Sequence, residues 1–234
     1  AMFIFLKAFF DGEAREKKFV STTLPAFFGA MLYTYIPYKA LEVYVRGALN
    51  EFWSLVFFPL IFWAIYQLIS KKKLKYVIFL ALSVASLMLT HNLMTLIFAP
   101  LAVFWCLALL TLKKNWEVFP KIFLGGVLGI GLAAFFTLPV IFEARYAHLE
   151  TLVGGYFDYR QHFVSLSRLF ISNNFGYGSS GFGQDNNLTL STGQIQWVVA
   201  LIGLVLSFVF LKKQRNIAIL IILFSILELG VLFL

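Results

Sequence analysis

The residues best suited to chemistry lie in one short run, 38–53, which reads YKALEVYVRGALNEFW. On a helix, Lys39, Glu42, Arg46 and Asn50 fall on one face, and Glu42 precedes Arg46 by four residues, the favourable order for an ion pair. Two readings fit. The planar fork of Arg46 can hold an anionic group such as a phosphate, or the charges can pair with each other and with lipid headgroups. Glu51 is harder to treat as incidental, because an apolar run starts directly after it. A carboxylate at such a boundary is costly unless it is paired or faces a wet cavity. His91 and Asn92, in LTHNLM, can hydrogen-bond a substrate or form a polar turn. Glu143 ends another apolar run and matches Glu51 in position.

Other groups give weaker signals. Residues 143–196 carry Glu143, Arg145, His148, Glu150, Asp158, Arg160 and His162. Asp158 and His162 are four apart, a spacing for two metal ligands on one helix face. No third ligand accompanies them, and neither HExxH nor a paired CxxC occurs, so no cofactor is indicated and a divalent metal has no motif behind it. The glycine-rich run 173–187 contains GYG and GFG but lacks the GK[ST] of a nucleotide loop. Asn187, Leu188 and Thr189 form a formal glycosylation sequon. Ser83, Ser86 and Thr90 make a small polar stripe suited to helix packing. Cys106 lies inside an apolar run and reads as packing. Tyr156, Tyr159, Tyr177 and Trp197 can stack on sugar rings or anchor at a membrane interface.

The elements that carry these residues must be membrane helices. The chain is 61% hydrophobic with only 13% charged residues, too few to solvate an ordinary globular surface. Apolar runs near 20 residues match a bilayer core. In hydrocarbon the backbone must satisfy itself, which leaves helices or a closed barrel, and these runs do not alternate as barrel strands do. The expected fold is all-α: one polytopic transmembrane bundle, 1–234, of about eight segments. They cover residues 1–10, 19–36, 52–70, 76–90, 93–112, 122–142, 197–211 and 216 onward. The first and last read as cut inside helices, so the chain reads as a fragment. Within 143–196, residues 158–170 place Phe163, Leu166, Leu169 and Phe170 at helical spacing, the pattern of an amphipathic interfacial helix.

Charge gives the bundle a direction. Loops 11–18, 71–75, 113–121 and 212–215 hold 13 of the 19 basic residues. The positive-inside rule makes that side cytoplasmic, and the expected location is the inner (plasma) membrane. The net charge of +8 therefore points to a lipid bilayer rather than to nucleic acid. Residues 38–51 and 143–196 then share the outer face.

The order of motifs is similar to that of a family of bacterial membrane proteins. YIPYKALEVYVRGALNEFW is followed by LTHNLMTLIFAPL, a proline-containing helix ending LPVIFEARY, GYFDYRQHFVSLSRLF, FGYGSSGFG and a T-G-x-x-x-W run. These resemble the family labelled 6-pyruvoyl-tetrahydropterin synthase-related, whose members look like membrane glycosyltransferases of the GT-C superfamily. Nothing here resembles the soluble pterin synthase. The resemblance implies transfer from a polyprenyl-phosphate-linked sugar to a glycan or lipid acceptor at the outer face. It also implies a catalytic acid in a first outer loop that would precede Ala1. It singles out Arg46, Glu51, His91, Asn92 and Glu143 as substrate-binding, with Arg46 suited to a donor phosphate. The competing readings are a lipid or glycan transporter or flippase, and a non-catalytic membrane scaffold.

Overall fold

A computed structural model describes residues 1–13, 19–146, 154–155, 158–171, 176–177, 188, 190–212 and 215–232. Every regular element among them is a helix, and the only extended feature is an isolated bridge between Gly176 and Leu188. In order these are α1 (Met2–Glu13), α2 (Phe19–Thr34), α3 (Pro37–Ala40), a π-helical turn (Leu41–Arg46), α4 (Leu49–Lys71), α5 (Lys75–Thr90) and α6 (Asn92–Lys113). A 3-10 turn (Trp116–Val118) leads into α7 (Phe119–Leu132) and α8 (Ala134–Glu143), and α9 (Leu166–Phe170), α10 (Gln194–Phe210) and α11 (Arg215–Leu232) follow. The apolar runs are thus helical. Two, α4 and α6, are long and apolar enough to cross a membrane, and α7 with α8 makes a third if the bent pair counts as one span. Helices α5 and α10 are apolar but shorter, at 16 and 17 residues. They rise about 25 Å, against a hydrocarbon core of about 30 Å.

The phenylalanines serve two surfaces. Phe5 and Phe9 of α1 are buried against Phe62 and Tyr66 of α4 and Trp105 of α6. The Trp105 indole N–H donates to the Phe62 carbonyl at 3.1 Å, giving a buried polar atom its partner. Phe27, Phe123, Phe135, Phe142 and Phe208 instead face outward. So apolar an exterior suits lipid and is unusual in water. Helix α7 packs closely on α5 because Gly125 and Gly129, four apart, present bare backbone. A Cβ on Gly129 would stand 2.7 Å from the Val84 Cβ and 2.8 Å from the Ala81 carbonyl oxygen. This is the small-residue contact of membrane helix pairs. Ser83, buried on α5, returns its hydroxyl to the Phe79 carbonyl, as a packing residue does.

The lysine-rich helix ends meet at one end of the bundle. Lys113 pairs with Glu13, which also accepts from the Tyr66 hydroxyl at 3.0 Å. Lys72 pairs with Glu117, and the Asn115 amide donates to the Ile69 carbonyl at 2.8 Å. The start of α4 and the α5–α6 turn lie at the opposite end, which carries the residues discussed below.

The structure corrects three expectations. Segment 122–142 is not one straight helix: α7 and α8 diverge by 68° at Ala133. There the Ala133 N–H is shared between the Gly129 and Ile130 carbonyls, and the Thr137 hydroxyl bonds back to the Ala133 carbonyl. Pro139 has no N–H for the Phe135 carbonyl, so the first turns of α8 just past the bend are loosened as well. Residues 158–170 are not one amphipathic helix either. The Asp158 side chain accepts from the Arg160 N–H at 3.1 Å and starts a 3-10 turn, Tyr159–His162. Only Leu166–Phe170 is α-helical. At about three residues per turn, Asp158 and His162 do not share a face as α-helical ligands would. Finally, the face holding Lys39, Glu42, Arg46 and Asn50 stops at Gly47. Asn50 lies in the first turn of the next helix with its side chain exposed.

The basic residues Arg15, Lys17, Lys18 and Lys213, along with His148, Glu150, Tyr156, most of run 173–187 and two of the three sequon positions, lie outside the described residues.

Candidate functional site

The polar cluster is built by an interruption. Pro37, whose fixed φ suits a helix start, opens α3. The chain then widens into the π turn Leu41–Arg46 and ends on Gly47 at φ +64. The Gly47 and Ala48 N–H groups both return to the Glu42 carbonyl, a left-handed helix stop that favours glycine. The chain reverses there, and α4 begins at Leu49. Arg46, at the end of the turn, therefore meets Glu51, in the first turn of α4.

Glu51 collects three partners. Arg46 grips it with two N–H groups, Nη1 to Oε2 at 2.9 Å and Nη2 to Oε1 at 3.1 Å. The Tyr38 hydroxyl donates to Oε2 at 2.9 Å. His91 Nε2 stands 3.7 Å from Oε1, beyond direct hydrogen-bond range. His91 also caps α6, with Nδ1 accepting from the Met94 N–H at 3.2 Å. In the neutral ring this leaves the hydrogen on Nε2, the atom turned toward Glu51. His91 is therefore both a turn residue and a member of the cluster.

Arg46 holds a second carboxylate. Its Nη1 donates to Glu42 Oε1 at 2.6 Å, and the Glu42 side chain is fully buried. Glu42 Oε2 has no hydrogen-bond partner among the described residues. Burial raises the Glu42 carboxyl above its ordinary range, and the nearby Glu51 charge adds to this, although Arg46 opposes it. Burial works against the Arg46 charge too, but its hydrogen bonds to both carboxylates hold the guanidinium above its usual value. Burial likewise raises the Tyr38 hydroxyl, helped by its bond to Glu51.

Of the residues expected from sequence, the structure brings Arg46, Glu51 and His91 together. Gly47, Ala48, Leu49, Asn50, Glu51 and His91 line an open cleft of about 290 Å³. Asn92 is next to His91 but exposed on the first turn of α6. Glu143 ends α8 with an exposed side chain and makes no bond to the cluster among the described residues. Tyr38 is a member that sequence periodicity did not indicate. It reaches Glu51 only because the chain turns at Gly47, and the glycine after Arg46 was the available signal.

The T-G-x-x-x-W run has a structural task. The Thr192 N–H donates to the Leu169 carbonyl at 3.0 Å and the Trp197 indole to the Phe170 carbonyl at 2.7 Å. Gly193 sits at φ +92. These donors take the free carbonyls at the end of α9 and dock it on the start of α10.

No family model matches the chain, and no solved structure matches it. It is 27% identical over 150 residues to an uncharacterised protein of Lactococcus lactis subsp. cremoris (strain MG1363), a match covering 62% of this chain. The chain spans only 23% of that relative's length.

Proposed function

We propose that this chain is part of a membrane glycosyltransferase core of the GT-C type. It takes a sugar from a polyprenyl-phosphate carrier and passes it to a glycan or lipid acceptor. In this reading it is a polytopic bundle of about eight membrane segments in the inner (plasma) membrane. The lysine-rich loops face the cytoplasm, and the Glu51 cluster lies at the outer boundary. The observation that supports it most is the placement of Glu51: a carboxylate at the mouth of α4, fixed by Arg46 and Tyr38 and bordering an open cleft. A group held this way suits recognition of sugar hydroxyls at the edge of a bilayer.

The reaction is a substitution at the anomeric carbon. The acceptor hydroxyl oxygen forms the new C–O bond, the bond to the carrier phosphate breaks, and the phosphate leaves with the electron pair. A carboxylate takes the hydroxyl proton, and a cation steadies the leaving phosphate. Glu51 and His91 orient the sugar, and Arg46 holds Glu51 in place. Asn92 and Glu143 border the same face as further hydrogen-bonding groups.

The 68° break between α7 and α8 favours a second reading, a lipid or glycan transporter, because transporters use discontinuous helices. The residues flanking this break are apolar apart from Thr137, which supplies no midplane charge.

The test is sugar transfer from a polyprenyl-phosphate donor by the full-length protein, with Arg46→Ala alongside. The reading predicts transfer by the wild type and a loss of at least about tenfold in the variant. Undiminished transfer by Arg46→Ala removes the cluster from the reaction, and no transfer by the wild type with any such donor removes the transferase reading.

A further inference from the structure

Arg46 is poorly placed to receive a phosphate. Three of its five N–H groups already go to Glu42 and Glu51. One guanidinium between two carboxylates leaves the group with no net positive charge, even when Glu42 is protonated. An incoming anion would have to displace Glu51 or meet its charge.

Lys39 is the opposite case. Its ammonium pairs with no carboxylate among the described residues. It lies 3.6 Å above the ring of Tyr33, a cation–π seat. The Tyr33 hydroxyl in turn donates to the Leu55 carbonyl of α4 at 2.6 Å, so α4 fixes the ring and the ring fixes the lysine. Tyr33, Thr34, Lys39, Phe52, Leu55 and Val56 line a cleft of about 250 Å³. The start of α1, residues 1–3, and Ala30 of α2 complete the lining, so the cleft has the Lys39 cation at its polar part and apolar walls from α1, α2 and α4, while the Thr34 hydroxyl donates to the Ala30 carbonyl at 2.8 Å. Phe52 follows Glu51 in the chain, so this cleft and the Glu51 cluster share the first turns of α4.

We infer that Lys39 forms the phosphate subsite of the donor, with Phe52, Leu55 and Val56 against the first carbons of its lipid chain. Arg46 is then a positioning residue for Glu51. The inference rests on the transferase reading for the identity of the lipid, and on the cleft alone for its affinity for an alkyl phosphate. Desolvation at this seat lowers the Lys39 ammonium to about 8, as expected of a cation short of a counter-charge. A bound phosphate supplies that charge and raises it again.

Dodecyl phosphate is the probe, added to the protein in phosphatidylcholine nanodiscs with its lysines carrying ¹³C-methyl labels. The Lys39 signal, assigned by its loss in Lys39→Gln, should titrate near 8 without the probe and at least about one pH unit higher with it. Lys39→Gln should weaken binding at least about tenfold and Lys39→Arg by less than about threefold. The pair Glu42→Gln with Arg46→Gln, which strands no fully buried carboxylate and leaves Glu51 its bond from Tyr38, should also change it by less than about threefold. An unmoved Lys39 signal, or binding lost in the double variant and kept in Lys39→Gln, overturns the assignment. Inorganic phosphate binding as tightly as dodecyl phosphate would make this a free-phosphate site. Complete competition by phosphatidylglycerol in the nanodisc would make it a bulk headgroup site. Either result overturns the donor subsite. Binding at Lys39 without sugar transfer would instead refute the transferase reading and leave the alkyl-phosphate cleft standing.

Discussion

Arg46 and Glu51 face each other across a glycine, with Nη1 2.9 Å and Nη2 3.1 Å from the two oxygens of one carboxylate. The pairing closes over the left-handed stop at Gly47 and ties the π turn to the first turn of α4. It makes Arg46 the support of two acids, one buried and one at the cleft.

The buried acid makes Arg46 a stability residue as well. Arg46→Gln leaves Glu42 sequestered without its cation, which should cost about 3 kcal/mol. Adding Glu42→Gln should recover most of that. Unfolding midpoints of the two variants and the wild type in one detergent check this, and equal destabilisation of single and double variants would contradict it.

Gly47→Ala tests the turn alone. A Cβ there meets no atom within 4 Å, so the expected cost of about 1 kcal/mol is a backbone cost. Gly47→Asn should cost less, because asparagine tolerates the left-handed region better. A neutral Gly47→Ala would show that the turn can relax.

Lys39 gives a pH signature. Burial lowers its folded value to about 8 from the ordinary lysine value of 10.5. Between those values the unfolded chain binds the extra proton, so stability rises with pH across that window and is level below about 8, where both states carry the proton. Lys39→Met should flatten the rise. Thermal midpoints of both proteins at pH 7, 8, 9 and 10 measure it, and parallel curves would contradict it.

Gly125, Gly126 and Gly129 separate packing from propensity. Gly129→Ala drives a Cβ into Val84 and the Ala81 carbonyl and should cost about 1–3 kcal/mol. Gly126→Ala meets nothing within 4 Å and should be neutral or stabilise by about 0.5–1 kcal/mol. Comparing the unfolding of the two variants decides whether α5 and α7 are locked by close backbone approach.

Much of this was legible from residue types. Apolar runs ended by lysines marked the helices, and the boundary position of Glu51 marked it as needing a partner. Glu42 and Arg46 kept their spacing because four residues also bring side chains together on a slightly wider turn. Sequence periodicity did not extend past Gly47, where the helix stops, so it assigned Asn50 to a face that Glu51 and Tyr38 occupy. It also did not show the bend at Ala133, where one N–H is shared between two carbonyls and the Thr137 hydroxyl bonds back to the Ala133 carbonyl. The shortness of α9 was hidden because Asp158 starts a separate 3-10 turn before it and residues 192–197 hold its end, neither of which is periodic. The close contact of α7 with α5 was written in Gly125 and Gly129, a small-residue spacing that the run of apolar neighbours obscured.

The most direct test of the central claim is sugar transfer from a polyprenyl-phosphate donor by the full-length protein carrying Glu51→Gln, with the folded state confirmed by an unchanged unfolding midpoint. Glu51 as a sugar-orienting carboxylate predicts a fall in kcat/KM of about a hundredfold. Transfer at the wild-type rate by a folded Glu51→Gln protein would contradict it.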